Sequence, residues 1–251
     1  MVDQQGRLAQ EVVREIYRRL KRRFGPLDPP RRLDPIDELI LTVLSQNTSD
    51  VNRDRAYRAM RERYPTWEAL AQADPRELAA AIRPGGLAKT KAPRIVAILA
   101  EIRGREGGSL DLGWMRTASA RRVREYLISL PGVGPKTAAC VLAFSLGRPA
   151  LPVDTHVDRV ARRLGFYGER TSAVAAHQVM EESVPSRLRV KMHVGLIRLG
   201  RQVCHPGRPA CSICPLMTLC PSAPRFLGAH SRATSKRMVP RGEPEESLAT
   251  R

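Results

Sequence analysis

Lys136 and Asp154 stand 18 positions apart, each where a helix is expected to begin, and four cysteines follow at 204, 211, 214 and 220. Lys136 lies in LPGVGPKTA (130–138), in the first turn of an apolar segment, where the positive end of a helix dipole mildly disfavours a cation. A neutral amine there is a nucleophile, able to attack an electrophilic carbon and form a Schiff base. The competing reading is a lysine that snorkels outward to contact phosphate. Asp154, in LPVDTHVDRVARRLGF (151–166), precedes the periodic apolar residues Val157, Val160 and Leu164 and is a natural N-cap. Capping orients a carboxylate rigidly, and a carboxylate opposite a neutral amine can take up protons and stabilise positive charge on a sugar ring. His156 either hydrogen-bonds a substrate or packs.

The turn before Lys136 has its own chemistry. Gly132 and Gly134 can take positive φ, and Pro135 suits the first position of a helix, where its missing N–H is not needed. The free N–H groups of Gly132, Val133 and Gly134, with the helix N-terminus, make an anion site that grips a phosphate without reading sequence. An ordinary helix–helix connection is the alternative. Arg121, Arg122 and Arg124 lie just upstream and fit either phosphate contact or a solvated face.

The cysteine pattern is C-x6-C-x2-C-x5-C, in a proline-rich stretch. Clustered cysteines in a cytosolic chain suggest metal ligation rather than disulfides. A structural zinc site usually pairs two tight knuckles, and only Cys211 and Cys214 form one. The uneven spacing suits a [4Fe–4S] cluster with one cysteine per iron. Cys140 reads as a core residue.

Helices must position these groups, because apolar residues recur at spacings of three and four almost throughout. Helices are expected over 8–24, 36–48, 50–64, 91–105 and 118–130, with shorter ones in TWEALAQ and, after an Asp74-Pro75 start, PRELAAAI. KTAACVLAFSLG, DTHVDRVARRLGF, TSAVAAHQVMEESV and SRLRVKMHVGLIRLGRQ complete an all-α fold. From about Arg225 the sequence is polar and patternless, as in a disordered tail.

Across the 251 residues, 43 Lys and Arg against 25 Asp and Glu give a net charge of +18, which favours a polyanionic partner. No apolar run approaches the roughly 20 residues that span a bilayer. The first ten residues, MVDQQGRLAQ, lack the apolar core of a secretory signal, so a cytoplasmic protein is expected.

LPGVGPKTA, then VDTH 18 residues after its lysine, then the four spaced cysteines, resemble in that order the endonuclease III family of helix–hairpin–helix DNA glycosylases. The resemblance runs from about residue 36 to 221. It implies two helical domains: a six-helix barrel with the helix–hairpin–helix at 34–148, and a cluster domain at 1–33 with 149–224. It implies a monomer acting on damaged or abasic double-stranded DNA, at the nucleoid in a bacterium, as a bifunctional glycosylase and AP lyase for oxidised pyrimidines. Lys136 then matches the Schiff-base lysine and Asp154 the catalytic aspartate. Cys204, Cys211, Cys214 and Cys220 match the ligands of a [4Fe–4S] cluster. Gln46 or Asn47, in LSQNTSD, matches the side chain that fills the space of the everted base. Leu87, in GGLAKTKA, matches an apolar wedge. Pro135 departs from the family, many of whose members carry a basic residue there, and HVGLIRLGRQVC has fewer histidines than some relatives. The rival readings are a monofunctional adenine-type glycosylase and a DNA-binding module without catalysis.

Overall fold

The computed structural model describes residues 8–29 and 32–227. Its α-helices run in chain order as α1 (Gln10–Phe24), α2 (Pro35–Leu44), α3 (Asp50–Arg63), α4 (Trp67–Ala71), α5 (Pro75–Ala81), α6 (Ala88–Arg105) and α7 (Ala120–Ile128). There follow α8 (Pro135–Cys140), α9 (Thr155–Leu164), α10 (Ala173–Ser183) and α11 (Arg189–Gln202). The fold is all-α, as the periodicity predicts.

Helix starts follow local chemistry. Ser49, Thr66, Asp74, Ser119 and Ser172 each accept a backbone N–H of the first turn that follows, satisfying a donor with no intrahelical partner. Several boundaries differ from expectation, and three of these bear on the site. α2 stops at Leu44 rather than 48, leaving Ser45–Ser49 as a connector. α6 starts three residues early, at Ala88, because Leu87 takes a left-handed conformation from which the helix can begin. α8 widens after six residues into a π-helical stretch, Val141–Ser145. The disorder expected from Arg225 does not begin there: 223–227 is helical and Phe226 stacks under the Arg163 guanidinium at 4.5 Å. The remainder of that expected tail, 228–251, lies outside the described residues.

Buried apolar side chains form two cores. One runs from Ile36 to Ala150 and gathers α2 to α8, with Leu39, Met60, Ile95, Leu99 and Leu127 fully buried. The other joins α1 to α9, α10 and α11 through Val13, Ile16, Leu20, Val160, Leu196 and Leu199. Ion pairs bridge the two: Arg124 of α7 donates to both oxygens of Glu181 on α10 at 2.9 and 3.0 Å. Arg201 of α11 likewise binds Asp50 at the start of α3 at 2.5 and 3.3 Å.

α11 is the central helix of the second core, and glycine lets its neighbours approach. A Cβ at Gly195 would lie 3.0 Å from Leu20 Cδ1 and 3.1 Å from Leu27 Cδ1. A glycine inside a helix is normally improved by a larger residue, by up to about 1 kcal/mol. Here Gly195→Val is expected to lower unfolding free energy in urea by about 1–3 kcal/mol through overpacking. A neutral or stabilised variant would show that α1 and α11 are not held this closely.

Candidate active site

α8 is too short to be stable alone, and burial of Thr137, Ala138, Ala139 and Cys140 holds it in place. It starts without a side-chain cap, so its first N–H groups stay open, and Pro135 occupies the first position. Gly132 takes φ +70°, while Gly134 is at φ −101° and needs no glycine on conformational grounds. The Val133 N–H is turned back to Leu130 O at 3.1 Å, and its side chain is buried. Of the N–H groups of the turn that of Val133 is therefore engaged, while the first N–H groups of α8 have no side-chain cap.

Lys136 is half-buried at that opening, its Nζ making a long contact, 3.5 Å, to Ser45 Oγ just past the end of α2. Ser45 Oγ in turn donates to Thr42 O at 2.7 Å. One turn back, Thr42 Oγ1 donates to Glu38 Oε1 at 3.1 Å. Glu38, Thr42 and Ser45 thus line one face of α2, and Lys136 and Cys140 the facing side of α8. Glu38 is 8% exposed, and burial pushes its carboxyl up to about 7 against the opposing pull of Thr42, Lys136 and Arg53.

Asp154 caps α9: Oδ1 accepts the N–H groups of His156 at 2.9 Å and Val157 at 2.8 Å, leaving Oδ2 outside the cap. The strand-like approach to it is clamped by two buried histidines. His193 Nδ1 donates to Pro152 O at 2.7 Å. His177 Nε2 accepts from Val153 N at 3.0 Å while its Nδ1 donates to Ala173 O at 2.7 Å, which fixes its neutral tautomer. Burial holds both rings below the usual histidine range, His193 down to about 4. Lys136 and Asp154 act with opposite sign on the same two buried groups, Cys140 and His193, so the two sequence-predicted groups share one electrostatic neighbourhood. His156 is half-buried beside Arg159, with Nδ1 and Nη2 at 3.2 Å.

Two connectors border this region. Gln46 is half-buried and its Oε1 accepts from Arg94 Nη1 at 3.0 Å. Asn47 is exposed with φ +50°, and Leu87 is 53% exposed with the same φ. Among the described residues they are the two non-glycine residues in the left-handed region. Of the arginines upstream of the hairpin, Arg124 is held by Glu181 and Arg122 lies over the Trp114 ring, whereas Arg121 makes only an exposed pair with Glu125 one turn along the same helix.

All four late cysteines line one small cavity, together with Val203, Pro209, Met217 and Phe226. None forms a disulfide. Burial raises the thiols of Cys211, Cys214 and Cys220, Cys214 to about 11, and each also feels the other cysteines. Such thiols ionise when a metal binds them. Among the described residues no three His, Cys, Asp or Glu side chains converge as a single metal ion requires. Arg163 frames the cavity, donating to Cys204 Sγ at 3.1 Å and to His205 O at 2.8 Å.

Glu38, His177 and His193 escape a reading of the sequence. Each resembles an ordinary helical residue there, and only the i, i+4 pair Glu38 and Thr42 carries a local signal.

Residues 40–186 match the family described as HhH-GPD superfamily base excision DNA repair protein. Endonuclease III of Thermotoga maritima is 35% identical over 213 residues, covering 85% of this chain and 92% of that protein. Endonuclease III of Bacillus subtilis is 32% identical, covering 74% and 81%. A solved trapped endonuclease III–DNA covalent intermediate superposes with a TM-score of 0.76 at 29% identity, covering 88% of this chain and 99% of that one.

The buried carboxyl makes a pH-dependent prediction. Glu38 binds its proton more readily folded than unfolded between 4.5 and about 7, so its contribution to stability falls as pH rises through that window. The buried histidines act oppositely, adding stability as pH rises toward 6.5. Glu38→Gln removes only the first effect. Its stability relative to wild type in urea should therefore rise by roughly 2.5 kcal/mol between pH 5 and pH 8. A difference that stays constant with pH would mean that Glu38 does not titrate in the buried site.

Proposed function

The chain belongs to the endonuclease III family of the HhH-GPD superfamily and is a base excision repair DNA glycosylase; from this we propose that it is bifunctional, excising oxidised pyrimidines and cleaving the abasic site through a Schiff base on Lys136. The supporting observation is that two groups from separate cores act on the same buried side chains. Lys136 stands at the open head of α8 and Asp154 at the capped head of α9, within electrostatic reach of the same buried His193 and Cys140. The similarity to a trapped covalent endonuclease III–DNA intermediate supports the covalent step.

In this reading the neutral Lys136 amine attacks C1′ of the damaged nucleotide. The N–C1′ bond forms as the glycosidic C1′–N bond breaks, and the base leaves with the bonding electrons and takes up a proton. Asp154 stabilises the positive charge on the sugar and moves protons as the ring opens to the iminium. Loss of a C2′ proton then expels the 3′ phosphate oxygen, nicking the strand by β-elimination. The open head of α8 grips a phosphate beside the lesion. Leu87 wedges between bases, and Asn47 fills the space of the everted base. Asn47 is favoured over Gln46 because it is exposed while the Gln46 amide is held by Arg94.

The two cores support a barrel domain over 34–148 and a cluster domain formed by 1–33 with 149–224. Cys204, Cys211, Cys214 and Cys220 would hold a [4Fe–4S] cluster, one thiolate per iron, and the cavity they share supports this donor set. Bound there, the cluster would supply a cross-link for the 204–220 loop. Among the described residues no helix is long and apolar enough to cross a membrane. A duplex-DNA substrate is in keeping with a cytoplasmic protein that works at the nucleoid in a bacterium.

Borohydride reduction during reaction with abasic-site DNA should trap a covalent complex with the wild-type protein. Lys136→Ala should lower trapping by about a thousandfold or more. Efficient trapping by the variant would move the nucleophile elsewhere, and excision without trapping in the wild type would favour the monofunctional rival. The purified protein should be yellow-brown and hold about four iron per chain; colourless protein loaded with zinc would overturn the cluster assignment.

A further inference from the structure

Lys91 is 1% exposed, and no step above uses it. Burial of a lysine is costly, and here burial pushes the amine down to about 8. Its partners are backbone carbonyls: Nζ donates to Leu44 O at 2.7 Å and to Gly85 O at 2.8 Å. Leu44 ends α2, where the last carbonyls have no intrahelical donor. Gly85 ends the 3-10 turn before Gly86 and Leu87. One side chain therefore ties together two connectors, each leading within three residues to one of the two left-handed residues, Asn47 and Leu87. The connectors also lie side by side, since a Cβ at Gly86 would be 3.8 Å from Asn47 O.

Arg94 follows Lys91 on the same face of α6. Its Nη1 holds Gln46 Oε1 at 3.0 Å, and its Nε and Cδ fill the space where a side chain at Gly132 would sit, 2.5 and 2.7 Å from the added Cβ. A non-glycine residue in the left-handed region persists only when its surroundings hold it there. α6 supplies that hold for both connectors and abuts the hairpin as well.

We propose that Lys91 and Arg94 are positioning residues, a brace on α6 that fixes the Asn47 connector and the Leu87 connector in one arrangement, so that both inserting side chains meet the duplex together during base eversion. This rests on reading Asn47 and Leu87 as the inserting residues. The brace acts on eversion and not on the bond-making at Lys136, which separates it from a general support of the core.

The test compares two substrates under single-turnover conditions: an oxidised pyrimidine paired in duplex DNA, and a preformed abasic site, which has no base to evert. Lys91→Met keeps the length of the side chain and loses the donors. It should slow excision of the paired lesion by about tenfold to a hundredfold and change borohydride trapping at the abasic site by less than about twofold. Arg94→Met, which leaves the two carbonyl bonds of Lys91 intact, should show the same split to a smaller degree and stands in if Lys91→Met fails to fold in thermal denaturation. Equal losses on both substrates, or no loss on either, would overturn the brace. Leu87→Ala and Asn47→Ala provide the control: if neither slows excision of the paired lesion, the inserting residues are misassigned and the reading beneath the brace fails instead.

Discussion

Irregular chain can be buried only if its backbone N–H and C=O groups find partners. That constraint governs everything around Lys136 and Asp154, because Lys136 opens a short helix directly after a turn and Asp154 ends the connector that caps α9. The approach to Asp154 is closed by two histidines kept neutral by burial, one donating to Pro152 O and one accepting from Val153 N. The connector after α2 is closed by Lys91 and Ser45. The cysteine loop is closed by arginines, with Arg159 donating to Cys204 O and Arg163 to His205 O and Pro206 O. Without these donors the loops would have to open to water, and the helix starts they carry would lose their orientation.

The same constraint changes how the +18 charge is understood. A basic composition favours a polyanion, and the family supplies one in DNA. Yet many of the arginines act inward. Arg198 donates to Phe24 O and Pro26 O, Arg162 to Gly168 O, Glu169 O and Thr171 O, and Arg189 to Val184 O and Pro149 O. A guanidinium carries five donors in a planar fork, so one side chain can satisfy several carbonyls of a turn where lysine would satisfy fewer. Part of the basic excess is therefore an internal scaffold for loops. The share available to phosphates is smaller than the count suggests, and Arg124 beside the hairpin belongs to the scaffold.

What was legible in the sequence was local. Asp154 as a cap, Asp74-Pro75 as a helix start and the glycine at 132 all follow from interactions within a few residues, and all three are found. The order of LPGVGPKTA, VDTH and the cysteines carried the family. Long-range partners were not legible: Lys91 lies 47 residues from Leu44, and Arg94 lies 48 from Gln46. In sequence, Lys91 is one more lysine in a polar run, and burial alone gives it a role. The choice between Gln46 and Asn47 stayed open in the sequence for a related reason. It depends on where α2 stops and on which side chain α6 holds back.

The rigidity of Lys136 comes from the first core rather than from its own helix. Six residues of α-helix have little stability by themselves, and the π-helical widening at Val141–Ser145 weakens the local hydrogen-bond ladder further. Yet Thr137 to Cys140 are all buried, against α2 and the hairpin helix, so the first turn of α8 cannot fray without exposing core. A lysine in a long exposed helix would have its dipole but not its placement. Here a short buried helix gives both: an open, uncapped start for an anion, and a fixed stem from which the Lys136 amine extends toward the end of α2. The buried Glu38 one layer below follows from the same packing, since α2 and α8 touch along the face that carries Glu38, Thr42 and Ser45. Moving that carboxylate to water would require separating the two helices, and with them Lys136 from Ser45.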